Sequence, residues 1–199
     1  MVWSCLVSIL PGMAQTEKLT DYVNPFVGTD GYGNVYPGAQ IPFGGIQISP
    51  DTDSRFYDAA SGYKYNHLTL MGFSLTHLSG TGIPDLGDFL FIPGTGEMKL
   101  EPGTHEDPDQ GYRSRYSHDK EWASPNYYAV ELADYGVKAE MTSGVRSGMF
   151  RFTYPESDNA FIMIDMNHTL WQSCEWSNLR MINDSTITGY KLVKGWGPE

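Results

Sequence analysis

Basic residues are scarce in this chain of 199 residues. Thirteen Lys and Arg side chains stand against 24 Asp and Glu side chains, which gives a formal net charge of −11. A surface of that sign repels a phosphate backbone, so the composition argues against nucleic-acid binding. Neutral ligands such as sugars, and cations, remain open. The hydrophobic content of 40% can build a core, and the length fits one domain, or one domain with a piece of another.

Long apolar runs and paired cysteines are also lacking. The apolar residues 2–10 are too few to span a bilayer, so no transmembrane segment is predicted. A small-residue cleavage motif follows at Gly12-Met13-Ala14, so residues 1–14 are interpreted as the remnant of a signal peptide and the protein as exported, either periplasmic or extracellular. The basic start of such a signal is missing, which an internal start at Met1 would explain; a plain apolar tail is the alternative. Once Cys5 leaves with the signal, Cys174 has no partner for an internal disulfide.

Helical periodicity is the third absence. No segment carries an apolar helical stripe with caps at both ends, whereas strand-like runs recur at short spacing. The predicted strands lie at residues 46–48, 89–92, 127–132, 137–142, 149–154, 161–164 and 186–193. Pro93 is expected to close the second strand, and residues 161–164, which are all apolar, are expected to be covered on both faces. The prediction is an all-β fold, most simply an antiparallel β-sandwich.

Glycine, proline, aspartate and hydroxyl residues crowd residues 24–88, and long loops of this kind in a compact domain are usually functional. Within them, GFSLTHLSGTGIPDLGD (residues 72–88) directly precedes the apolar run FLFIP. His77 lacks the spaced His or Cys partners of a zinc site, and we interpret it either as a structural residue or as a ligand contact. Asp85 and Asp88 are spaced as in ordinary turns. The glycine clusters lack a nucleotide-binding fingerprint, and Ser74 lacks the surroundings of a hydrolase nucleophile.

Several phrases in order carry a resemblance to a known family. They are VNPFVGTD, GNVYPGAQIPFGGIQISPDT, SGYKY, GFSLTHLSGTG, DLGDFLFIP, ASPNYYAVEL, AEMTSGVRSGMFRFTYP and ITGYKLVKGWGP. Together they resemble the N-terminal domain of glycoside hydrolase family 92, a family of calcium-dependent exo-acting α-mannosidases. The resemblance covers residues 19–199. The chain departs from the common pattern at Leu75, where many relatives have histidine, which puts the linkage preference in doubt.

The resemblance implies a galactose-mutarotase-like β-supersandwich, incomplete at the C-terminus, that packs on a catalytic (α/α)6 domain absent from this chain. Cleavage of mannosides such as N-glycan mannose would invert the anomeric carbon. The general acid, the general base and the calcium ligands would come from the absent domain, so neither a catalytic residue nor a metal ligand is assigned here. This chain alone is expected to be inactive.

The resemblance also implies a substrate wall on this domain. We name residues 29–38 loop A and residues 77–85 loop B, and expect them to face the absent domain and bind mannose through hydroxyls and backbone N–H groups. The substrate-binding residues predicted in these loops are Asp30, Asn34, His77, Ser79, Thr81, Gly82 and Asp85. The alternative is a stand-alone carbohydrate-binding or scaffold module without enzymatic activity.

Overall fold

The computed structural model describes residues 17–54 and 59–195, and the interpreted signal peptide lies outside them. Two antiparallel sheets form its body. The first sheet contains, in spatial order, β1 (Ala39–Gln40), β2 (Gln47–Asp51), β4 (Gly72–Ser74), β5 (Leu90–Thr95) and β11 (Ala160–Asp165). The second contains β10 (Gly148–Thr153), β9 (Val137–Ser143), β8 (Tyr127–Leu132) and β7 (Glu121–Ser124).

Shorter elements complete the described residues. A long hairpin, β12 (Ser173–Asn183) with β13 (Thr186–Lys194), stands beside the two sheets, and β3 (Thr69–Leu70) pairs with β6 (Ser114–Arg115). The helical pieces of the described residues are short 3-10 turns at Leu19–Tyr22, Pro108–Gln110 and His118–Lys120. The all-β antiparallel prediction is confirmed.

The hydrophobic core lies between the two sheets. Ile48 and Phe73 from the first sheet meet Tyr128, Val130 and Met141 from the second, all fully buried. The inward residues of β8 are two apart, as the alternation of a pleated strand requires. This face-to-face packing of two antiparallel sheets is that of a β-sandwich, and it fixes the ends of β2, β4 and β5 from which the long loops leave.

Two predicted strands differ from the observed ones, and a further long strand was not predicted. The strand after residue 89 does not stop at Pro93 but runs to Thr95. On the β4 side, β5 is joined by the single pair Phe73 and Phe91, and Pro93 lies beyond that pair. The N–H group that proline lacks is tolerated at such a position. Residues 161–164 do form a strand, but β11 is the edge of its sheet and Ile162 is exposed, because an apolar run does not report which face is covered. The strand β12 was not predicted, since SCEWSNLRMIN has no regular alternation.

Candidate functional site: two loops above a buried histidine cluster

Loops A and B lie against each other. The backbone N–H of Gly80 in loop B donates to the carbonyl oxygen of Asn34 in loop A at 2.6 Å. Loop B is closed at its base by Thr76, whose hydroxyl donates to Asp88 (2.9 Å) and accepts from the Asp88 backbone N–H (3.1 Å). The fold therefore brings these two sequence-distant loops into contact, and their role as a shared substrate surface stays a prediction.

Loop A is shaped by its own side chains. The Asp30 carboxylate accepts from the Gly31 N–H at 2.8 Å, and the Asn34 amide donates to the Tyr32 carbonyl at 3.1 Å. Lys64 reaches in from below and donates to the Gly31 carbonyl at 2.6 Å. The Asn34 Oδ1 atom is buried and has no hydrogen-bond partner among the described residues. A buried acceptor left in that state is the kind of atom that a water or ligand satisfies.

Loop B leaves its polar groups open to solvent. Ser79 and Thr81 are exposed, and the Thr81 hydroxyl makes long local contacts of 3.3 Å with the backbone of Ile83. Gly80 and Gly82 adopt left-handed φ angles of 74° and 65°, which hold the loop in a conformation that other residues rarely adopt. Asp85 accepts from the Leu86 N–H at 2.7 Å and from the Gln172 side chain.

His77 differs from the other predicted residues because its ring points into the protein. It is 3% exposed. Its Nε2 lies 2.8 Å from Asp51 Oδ1 and 3.0 Å from Ser74 Oγ, and its Nδ1 lies 2.7 Å from the Gln47 carbonyl. Both ring nitrogens are therefore engaged by the protein, so a direct bond from this ring to a sugar would have to displace one of these contacts. The geometry favours the structural interpretation, and direct sugar contact stays a prediction.

Asp51 is shared by a second histidine that sequence reasoning did not connect to it. His168 Nε2 lies 2.7 Å from Asp51 Oδ2, and the Asp51 side chain is fully buried. We call Asp51, His77, His168 and Ser74 the buried histidine cluster. The partners of Asp51 are 26 and 117 positions away in the chain, so no local pattern could have grouped them.

Electrostatics in the cluster favour charged forms. Burial on its own would raise the pKa of the Asp51 carboxyl, but the positive ring of His77 and the hydrogen bonds from both histidines hold that pKa well below its usual value. Both oxygens of the Asp51 carboxylate lie within hydrogen-bond distance of a histidine ring nitrogen. Asp51 is therefore a charged carboxylate that lies buried under the two loops.

The same geometry rules out a serine-hydrolase triad in this cluster. A triad needs the serine on one ring nitrogen and the carboxylate on the other. Here Ser74 and Asp51 both lie on Nε2 of His77, while Nδ1 is bonded to a backbone carbonyl. Ser74 is also fully buried. The cluster holds structure together and offers no nucleophile.

Two more histidines pair with buried carboxylates. His105 Nε2 lies 3.0 Å from Asp53, and His118 Nδ1 lies 2.6 Å from Glu121, which also accepts from the hydroxyl of Tyr128. Sequence analysis singled out neither of these two histidines. Among residues 17–54 and 59–195, no group of three or more His, Cys, Asp or Glu side chains could hold a metal ion, so these residues offer no fit for the calcium that the family resemblance implies.

Comparison with known proteins assigns the class and then the family. The model of the glycosyl hydrolase family 92 N-terminal domain matches residues 22–199. This defines the sandwich as a domain of a glycosidase. The chain belongs to glycosyl hydrolase family 92, and the prediction of that family is confirmed.

Three similar proteins are much longer than this chain. A family 92 glycosyl hydrolase structure, ccman5, matches 89% of the chain and 24% of its own length at a TM-score of 0.73 and 29% identity. The structure of an inverting mannosidase of the same family from Bacteroides thetaiotaomicron matches 75% of this chain and 20% of its own, at a TM-score of 0.60 and 27% identity. An uncharacterized secreted glycosidase of Arthroderma benhamiae is 30% identical over 139 residues, 69% of this chain and 17% of that protein. The chain thus spans about a quarter or less of these relatives.

No helix of the described residues is both long and apolar enough to cross a membrane.

Proposed function

We propose that this chain is the N-terminal, substrate-wall part of an exported, inverting exo-α-mannosidase. Loops A and B would form one side of a mannose pocket, and a second domain would supply the other side, the catalytic acid and base, and the calcium ligands. The observation that carries the proposal is the bond from the Gly80 N–H to the Asn34 carbonyl oxygen, which joins loop B, with its exposed hydroxyl residues, to loop A, where Asn34 Oδ1 has no partner among the described residues.

The chemistry of these loops suits a neutral polyol. Exposed hydroxyls at Ser79 and Thr81 can both donate to and accept from sugar hydroxyls, and the flanking glycines let a ring approach the backbone closely. The net charge of −11 disfavours an anionic ligand. The likeness to an inverting mannosidase, at 27% identity, supports mannose as the sugar. The likeness to a secreted glycosidase supports export.

The hairpin β12–β13 supports a role in packing against a further domain. It exposes seven large apolar side chains: Trp176, Leu179, Met181, Ile182, Ile187, Tyr190 and Leu192. A hairpin of two strands is marginally stable unless another element covers it, and an exposed apolar patch marks a contact surface. In the whole protein we expect the remaining family 92 polypeptide to cover this hairpin.

Catalysis in the whole enzyme would follow the inverting scheme. One carboxylic acid protonates the glycosidic oxygen, while a carboxylate on the opposite face of the ring activates a water, the two standing about 6.5–9.5 Å apart. In this chain loops A and B would bind and orient the sugar. The 199-residue chain is therefore expected to show no turnover of α-mannobiosides when calcium is added. Turnover at the level of intact family enzymes would mean that the chain carries the catalytic groups after all.

Calorimetric titration of the chain with methyl α-mannopyranoside tests the wall directly. Replacing Thr81 by Ala removes one open hydroxyl, so we expect affinity to fall by about 10-fold, which equals the roughly 1.4 kcal/mol of one hydrogen bond. The thermal midpoint should stay unchanged, because Thr81 is exposed. Thr153→Ala, an exposed threonine on β10, is the matched control. Equal affinities for the wild type and Thr81→Ala would contradict the proposal that loop B forms part of the substrate wall.

A further inference from the structure

A single exposed tryptophan stands at the mouth of a polar cleft outside loops A and B. Trp171 is 53% exposed. It lines an open cleft of about 450 Å³ together with Tyr112, Asp165, Asn167, His168 and Gln172. It also lines a neighbouring cleft of about 570 Å³ with Gln172, Ser173 and Lys194. Both volumes fall in the range of roughly 300–1,000 Å³ that is usual for small-molecule sites.

The backbone of Trp171 is strained and firmly held. Its φ of 70° lies in the left-handed region, which bulky residues rarely adopt. The turn is fixed by backbone bonds from the Trp171 N–H to the Ser54 carbonyl (3.0 Å) and from the Leu170 N–H to the Leu86 carbonyl (3.0 Å). The Thr169 hydroxyl closes it by donating to the Gln172 carbonyl at 2.8 Å. Strained residues that their surroundings hold in place cluster at functional sites.

The groups around the indole suit a sugar. Tyr112 donates to Asp165 Oδ2 at 3.0 Å, and Asp165 Oδ1 accepts the backbone N–H groups of Asn167 and His168. This fixes a carboxylate in the cleft beside the exposed Asn167. An aromatic face that meets the C–H groups of a pyranose ring, flanked by polar groups that bond its hydroxyls, is the usual construction of a carbohydrate subsite.

The cleft is connected to the proposed substrate wall. The Gln172 side chain, directly after Trp171, donates to Asp85 at the end of loop B. The Leu170 bond to Leu86 ties the same turn to the residue that follows loop B. A glycan bound by loop B could therefore extend toward Trp171 without leaving the domain.

We propose that Trp171 is the stacking platform of a second pyranoside subsite, adjacent to loop B, which takes the next sugar of a neutral oligosaccharide. The choice of a mannoside as its ligand rests on the proposed function. The position of the subsite rests on the exposed indole, the left-handed backbone of Trp171 and the polar cleft.

Titration of the 199-residue chain with an α-linked mannobioside and with methyl α-mannopyranoside tests this subsite. Trp171→Ala should lower the affinity for the disaccharide by about 10-fold, as expected for the loss of one aromatic stacking contact. The affinity for the monosaccharide should not change. Trp171→Tyr should restore most of the affinity. Trp122→Ala is the matched control, because Trp122 is also exposed but lies on β7 in the second sheet, whereas Trp171 lies in the turn between β11 and β12.

Trp171→Gly separates binding from folding. Glycine accepts a φ of 70° without strain, so this variant should melt at or above the wild-type temperature while it binds the disaccharide as weakly as Trp171→Ala. Wild-type disaccharide affinity in the Ala and Gly variants would overturn the platform. So would a loss of affinity that occurs only together with a loss of fold.

The outcomes also separate this inference from the proposed function. If Thr81→Ala lowers the affinity for the monosaccharide while the Trp171 variants bind the disaccharide with wild-type affinity, the substrate wall is supported and the Trp171 platform is refuted. If the chain binds no mannoside but binds a glucoside or galactoside in a Trp171-dependent way, the platform stands and mannose is wrong. If no neutral pyranoside binds, the platform is refuted.

Discussion

The buried histidine cluster and the loops above it use polar residues in opposite ways. In the cluster, Asp51 is fully enclosed and both of its oxygens are bonded to histidine rings. In the loops, Thr81 and Ser79 are exposed and make few contacts. A polar group that is buried and paired is required for the fold, whereas one that is exposed and lightly bonded is free to bind a ligand. The two layers can be separated by experiment.

The largest expected effect comes from breaking the cluster. Asp51→Asn removes the buried carboxylate whose two oxygens are bonded to two histidine rings, and leaves both rings buried without that partner. We expect a loss of about 3–5 kcal/mol in the free energy of unfolding, measured by urea denaturation. Asp30→Asn, in exposed loop A, is the control and should change the free energy by less than about 0.5 kcal/mol. Similar values for the two variants would show that the cluster is not the structural support we describe.

The pH dependence of the free energy of unfolding should also show the contribution of the buried histidine cluster. The folded-state pKa of Asp51 lies below that of the unfolded chain, so the stability it contributes is fully present above the ordinary carboxyl range near pH 4 (about 3.9 for Asp) and is lost as the pH falls toward the folded pKa. Denaturation of the wild type and of Asp51→Asn from pH 6 downward should therefore give curves that converge in acid. Parallel curves would mean that Asp51 does not titrate as its surroundings require.

The sequence could predict most strands and the two loops, but not the buried polar pairs. Alternation and turn residues predicted most strands, including β8, β9 and β10, because a strand's period is a local property. The resemblance, carried by whole phrases such as GFSLTHLSGTG, predicted the family and the loops. The pairing of histidines with the buried carboxylates of Asp51 and Asp53 could not be predicted, because only the completed fold brings these residues together. The pair of His118 and Glu121 is close in the chain, but in the sequence it looks like an ordinary solvent-exposed pair.

Trp171 was out of reach for a different reason. An isolated tryptophan in NHTLWQS is more often a core residue, and only the structure gives its exposure and left-handed backbone. His77 is the reverse case. Its sequence motif led us to predict a sugar contact, but its ring belongs to the buried histidine cluster and is 3% exposed.

The smallest effects distinguish two kinds of glycine within the loops. A Cβ on Gly33 in loop A would lie 2.1 Å from the Gly28 carbonyl oxygen, a backbone atom that cannot swing away, so Gly33→Ala should cost about 1–3 kcal/mol. A Cβ on Gly80 would meet nothing within 4 Å, and Gly80→Ala should cost only the left-handed conformation, about 1 kcal/mol. Thermal melting of both variants checks the order. If Gly80→Ala were the more damaging variant, loop B would be packed more tightly than loop A, and the open conformation of loop B on which the proposed substrate wall depends would not hold.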